Sequence, residues 1–129
     1  MESVTNNVKI LVVDDEKAIV KSTAMYLKTK GYKNIYTLTD SRRIINFVNA
    51  LKPDIILLDL NMPEINGHTV LTELNSLQKN LKIIVISAMD DSISVTKCKS
   101  LGAQTFLSKP VNNDDLLLSI NDCIKNGSK

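Results

Sequence analysis

The chain of 129 residues has no tryptophan, one histidine, two cysteines and only 4% aromatic residues. With a single histidine, and with Cys98 and Cys123 at no metal-ligand spacing, a zinc site is excluded, and the cysteines read as small buried hydrophobes of a reducing compartment. Neither sign of charge dominates: 16 basic residues against 14 acidic ones leave a formal net charge of +2. No segment concentrates Lys or Arg into a phosphate-binding stripe, so direct nucleic-acid binding is not expected. Long apolar runs are missing too, none approaching the ~18 residues of a membrane span. Met1 to Asn7 lacks the basic and apolar regions of a secretory leader. These absences predict a soluble, cytoplasmic protein without membrane contact. What is present, 43% apolar and 23% charged residues, is the balance of one compact domain. The predicted unit is a single domain over residues 1–129, with its core at about 8–125 and polar, frayed ends.

Short β-branched apolar runs alternate with longer helix-patterned segments, the signature of a parallel sheet wrapped by helices, an α/β fold. Strands are predicted at 8–13, 34–38, 55–58, 83–86 and 105–107. Helices are predicted at 17–30, 41–51, 67–78, 91–101 and 113–125. Gly31, Lys52-Pro53, Gly102 and Gly127 are the predicted stops, with Asp40 or Ser41 and Asn112 or Asn113 as N-caps. Strands one, three and four are nearly unbroken apolar runs suited to the middle of the sheet, whereas Ile35-Tyr36-Thr37-Leu38 is mixed and suits an edge.

In an open sheet of this kind ligands bind beyond the carboxyl ends of the strands. The polar residues there are Asp14-Asp15-Glu16 after strand one, Asp59 after strand three, Ser87-Ala88 after strand four and Ser108-Lys109-Pro110 after strand five. If strands one and three are neighbours, Asp14, Asp15 and Asp59 converge, and three like charges call for a cation. Carboxylates without a soft ligand favour magnesium. Lys109 then balances a phosphoryl oxygen, Asp59 is a competent nucleophile toward phosphorus, and Ser87 can donate to the new phosphoryl group.

The ordered set Val12-Val13-Asp14-Asp15-Glu16, Leu57-Leu58-Asp59-Leu60-Asn61-Met62-Pro63 with Asn66-Gly67, Ile86-Ser87-Ala88, Leu101-Gly102-Ala103 and Phe106-Leu107-Ser108-Lys109-Pro110 resembles the receiver domains of two-component response regulators over essentially the whole chain. The resemblance implies a flavodoxin-like, doubly wound (βα)5 fold with five parallel strands in the order 2-1-3-4-5. It implies Asp59 as phosphoacceptor, with Asp14, Asp15, Asp59 and the backbone carbonyl of Asn61 as magnesium ligands. It implies Ser87, Ala88 and Lys109 as phosphoryl-binding groups, and a cis bond between Lys109 and Pro110. A histidine kinase or histidine phosphotransfer protein is the implied donor. Phe106 stands where the family places a switching aromatic, although an aromatic on a strand equally suits plain core. Asn61 and Met89 occupy the positions that modulate dephosphorylation, and the apolar Met89, unable to orient water, predicts slow loss of the phosphoryl group.

Pro63 and Gly67 read as shaping the loop after Asp59, and His68 as a solvated residue opening a helix. The fourth helix, Ser92-Ile93-Ser94-Val95-Thr96-Lys97-Cys98-Lys99-Ser100, is rich in poor helix formers. With strand five and the last helix it is expected to form the movable face. In the order 2-1-3-4-5, Cys98 and Cys123 fall on opposite faces of the sheet, too far apart for a disulfide. The last helix could support a phosphorylation-dependent homodimer, unless Leu116, Leu117, Ile120 and Ile124 are all used by the core. Two other functions compete. A small magnesium phosphatase with an aspartyl nucleophile needs a second aspartate where Asn61 stands, and it needs room for a cap domain. A pseudo-receiver acting only through protein contacts is expected to have lost an acidic residue or the lysine, and none is missing.

Overall fold

A computed structural model describes residues 7–62, 66–88 and 91–126. Strands β1 (Lys9–Val13), β2 (Asn34–Leu38), β3 (Ile55–Asp59), β4 (Lys82–Ser87) and β5 (Ala103–Ser108) alternate with helices α1 (Lys17–Thr29), α2 (Ile44–Leu51), α3 (Gly67–Leu77), α4 (Ser92–Ser100) and α5 (Asn113–Asn126). All pairings are parallel, in the order β2-β1-β3-β4-β5. This is the flavodoxin-like arrangement expected, with mixed β2 at an edge and β1, β3 and β4 inside.

Side chains along a strand point alternately to the two faces of the sheet. Ile10, Val12, Ile55, Leu57 and Ile84 accordingly pack with Val20 and Leu27 of α1 and Leu116, Ile120 and Cys123 of α5. Leu11, Val13, Ile56, Leu58, Ile83 and Val85 pack on the other side with Ile44, Val48, Val70, Leu71, Leu74 and Cys98 of α2, α3 and α4. The two free cysteines therefore lie in separate cores across the sheet.

Several boundaries differ from the sequence expectation for local reasons. The second helix does not start as an α-helix at Ser41. The Asp40 carboxylate accepts from the Arg42 N–H, a 3-10 turn runs over Ser41–Arg43, and α2 begins at Ile44. Asp91 caps α4 rather than belonging to it, accepting from the Ser94 N–H. Asn112 is the cap of α5, with Oδ1 accepting from the Asp115 N–H at 2.8 Å. Gly31 and Gly102 take φ of 97° and 116°, the left-handed backbone at which glycine ends a helix without a Cβ clash. The proposed stop at Gly127 lies outside the described residues, and of the ends expected to fray, 1–7 and 126–129, only Asn7, in a turn, and Asn126, the last residue of α5, are described. Among the described residues no helix is long and apolar enough to cross a membrane.

Candidate functional site

Parallel pairing delivers the carboxyl ends of all the strands to one edge of the sheet, and the register decides which residues meet there. Val13 of β1 stands opposite Leu58 of β3, so the residues that follow, Asp14 and Asp59, emerge side by side. Carboxylate oxygens of Asp14, Asp15 and Asp59 all lie within 4.8 Å of one another. Asp59 is 1% exposed and Asp14 6%, whereas Asp15 is exposed. On the other side Ser87 pairs with Ser108, and the Lys109 N–H donates to the Ser87 carbonyl at 2.9 Å. That bond continues the β4–β5 ladder one residue past Ser108, and the Lys109 Nζ lies 3.0 Å from Asp59 Oδ1. The Asn61 N–H donates to the same oxygen at 2.9 Å.

Among the described residues, three carboxylates thus share one edge with a single lysine in contact. Burial pushes the Asp14 carboxyl up to about 6 from its ordinary 3.8; the Glu16 N–H, which donates to Asp14 Oδ1 at 2.9 Å, and Lys109 pull it down, while the Asp59 charge pushes it up. Clustered oxygen donors with no nitrogen or sulfur among them suit a hard divalent cation, and magnesium fits this donor set.

The remaining site residues line the rim. Ser87 is buried. Beside it a cavity of about 320 Å³ is lined by Leu60, Asn61, His68, Ser87, Cys98 and Phe106, among others. Phe106 is half-buried and packs against the α2–α3–α4 core, so it is neither fully core nor free. Exposed His68 lines the same cavity. The Lys109–Pro110 peptide is cis. Ala88 is exposed, and its N–H donates to Asn61 Oδ1 at 2.9 Å. Met89 and Pro63 lie outside the described residues. The sequence singled out Asn61 for its carbonyl and its place near Asp59. Its side-chain bond to Ala88 was not foreseen, and neither was the Glu16 N–H on Asp14. An acidic residue followed two places later by a free N–H is a recognisable local turn, so the second was readable in principle.

A family model described as response regulator receiver domain matches residues 10–121. The chemotaxis protein CheY of Thermotoga maritima is 31% identical over 117 residues, covering 91% of this chain and 98% of that protein. Among solved structures, a CheY-like receiver domain protein from Methanospirillum hungatei superposes with a TM-score of 0.86 at 25% identity, covering 94% of this chain and 96% of that one. A chain of the CheX-CheY-BeF3-Mg+2 complex from Borrelia burgdorferi superposes with a TM-score of 0.84 at 28% identity, covering 91% of this chain and 89% of that one.

Proposed function

The chain belongs to the response regulator receiver family, and on that premise we propose that it is a signalling switch in which the Asp59 carboxylate accepts a phosphoryl group. The observation that carries this reading is the meeting of three carboxylates within 4.8 Å of one another with the Lys109 ammonium 3.0 Å from Asp59 Oδ1. Asp59 is the nucleophile because it alone of the three touches the lysine, and because Asp14 and Asp15, adjacent in sequence, are left to hold a cation.

The donor is a phosphohistidine of a histidine kinase or phosphotransfer protein. A carboxylate oxygen of Asp59 bonds to phosphorus as the phosphorus–nitrogen bond breaks, and the bonding pair leaves with the imidazole. Lys109, held by its own N–H on Ser87, offsets the charge on the phosphoryl oxygens. The Ser87 hydroxyl and the Ala88 N–H donate to those oxygens, and Phe106 follows Ser87 within the adjoining cavity. Asp14, Asp15, Asp59 and the Asn61 carbonyl would hold a magnesium ion, which supplies further charge neutralisation during transfer. The BeF3 and Mg in the structure of the Borrelia CheY complex support both the group and the ion. The change at Ser87 is read out on the face made by α4, β5 and α5.

This reading takes residues 8–125 as one receiver unit acting in the cytoplasm. The beryllofluoride-activated NtrC4 receiver domain dimer, which superposes with a TM-score of 0.84 at 28% identity, supports a phosphorylation-dependent homodimer. On α5 such a contact would have to use residues such as exposed Leu118, since Leu116 and Ile120 are buried and Leu117 and Ile124 pack on the core.

The test is intact mass after incubation with acetyl phosphate and magnesium. The wild type gains one phosphoryl group that requires magnesium, and Asp59→Asn gains none. No gain in the folded wild type would favour a pseudo-receiver.

A further inference from the structure

We infer that the Asn61 side chain is a latch on the Ala88 amide, holding in the unphosphorylated protein the hydrogen bond that a phosphoryl oxygen on Asp59 must take over. The inference rests on the receiver reading above and adds a positioning residue to it.

Asn61 and Ala88 lie 27 residues apart, on the loops after β3 and β4. The sheet brings them together: Asp59 stands opposite Ile86, and the Leu60 N–H donates to the Ile86 carbonyl at 3.0 Å. From that anchor one more residue after Leu60 and two after Ile86 place Asn61 Oδ1 2.9 Å from the Ala88 nitrogen. Asn61 also donates its own N–H to Asp59 Oδ1 at 2.9 Å. One residue therefore grips the nucleophile through its main chain and the phosphoryl-binding amide through its side chain.

A backbone amide has a single proton, so Asn61 and a phosphoryl oxygen compete for it. A phosphoryl group brings three strong, charged acceptors, and charged acceptors bind an N–H more tightly than a neutral amide oxygen does. Asn61 is therefore the partner displaced. Its release unties the loop after β3 from the loop after β4, three residues ahead of the Asp91 cap that starts α4. Asn61, Ser87 and Phe106 line the same cavity, so the latch opens at the wall where Ser87 and Phe106 respond. The cost of breaking one neutral hydrogen bond falls on the phosphoryl-bound state, which weakens it about fivefold.

The test uses the full chain with Asn61→Ala, Asn61→Leu, which keeps bulk but no acceptor, and Asn61→Asp, which keeps the acceptor. All three leave the backbone N–H and carbonyl of position 61 in place. In protein without magnesium, the Ala88 amide proton resonance moves upfield and exchanges faster in Asn61→Ala and Asn61→Leu, and returns toward its wild-type position in Asn61→Asp. In a titration with beryllofluoride and magnesium, Asn61→Ala and Asn61→Leu bind about fivefold more tightly than wild type, with thermal stability unchanged or lower. A residue that only satisfied a loop amide would lower stability without tightening that binding. An Ala88 resonance indifferent to both apolar substitutions, or beryllofluoride binding unchanged or weaker in them, overturns the latch while leaving the receiver reading intact. Failure of the wild type and every variant to bind beryllofluoride overturns both.

Discussion

Helix α1 sets Val20 and Leu27 against the central strands and buries Ala24 as well, whereas helix α4 buries only Cys98 and leaves Ile93 80% exposed. The strands beneath them differ in the same sense. Four of the five residues of β1 are buried, against Ala103 alone in β5. A fully buried aliphatic side chain contributes about 2 kcal/mol, so α1 is held by several such terms. The α4 segment relies on Cys98, on the Asp91 cap and on its contact with β5. Regions with few buried apolar contacts open locally at low cost, and moving elements of switches come from that end of the stability range. The acidic cluster grows from the firmly built strands β1 and β3, and Lys109 and Ser87 reach it from the side that includes the lightly held helix. Chemistry at the shared edge can therefore act on α4 while the scaffold under Asp14 and Asp59 stays put.

Substitutions should separate the two regions by the size of their effects. Leu57, fully buried in β3, loses about 3–4 kcal/mol of unfolding free energy as Leu57→Ala in a urea titration. The next largest effect is on pH dependence. Asp14 titrates at about 6 when folded, above its ordinary 3.8, so between those values the folded chain holds more protons than the unfolded one. Its contribution to stability is fully present below 3.8 and is lost as pH rises through about 6, by on the order of 1–2 kcal/mol after solvent screening, in protein kept free of magnesium. Melting in EDTA from pH 4 to 7 shows this fall, and Asp14→Asn flattens it.

Smaller effects belong to α4. Removing its cap with Asp91→Ala breaks the bonds to the Ser94 N–H and hydroxyl and costs about 1 kcal/mol. That loss is read as faster amide exchange in α4 with little change in α1. Smallest of all is Ile93→Ala, within about 0.5 kcal/mol in urea because Ile93 is 80% exposed.

The firmly built half of this comparison was also the more legible half in the sequence. The unbroken runs of β1, β3 and β4 announced strands covered on both faces, and the polar residues that end them fell at the same edge once the order was known. At β5 the polar Gln104 breaks the apolar run, so sequence pattern alone found Thr105 to Leu107, while strand pairing extends β5 over Ala103–Ser108. The 3-10 start of the second helix turns on the Asp40 side chain bonding the Arg42 N–H at 3.0 Å, a choice between two local conformations that periodicity does not register. The bond from Ala88 to Asn61 was illegible for a different reason. It joins loops 27 residues apart through a register that only the assembled sheet defines, and neither residue carries a local signal of the other.

The central claim is that phosphoryl chemistry at Asp59 is read out where the fold is lightly held. Hydrogen exchange followed by mass spectrometry on peptides from α1 and from α4–β5, with and without beryllofluoride and magnesium, tests it most directly. The account predicts that exchange changes in the α4–β5 peptides and not in α1, and that Asp59→Asn abolishes the change. Equal, slow exchange in both regions whether or not the phosphoryl mimic is present would contradict it.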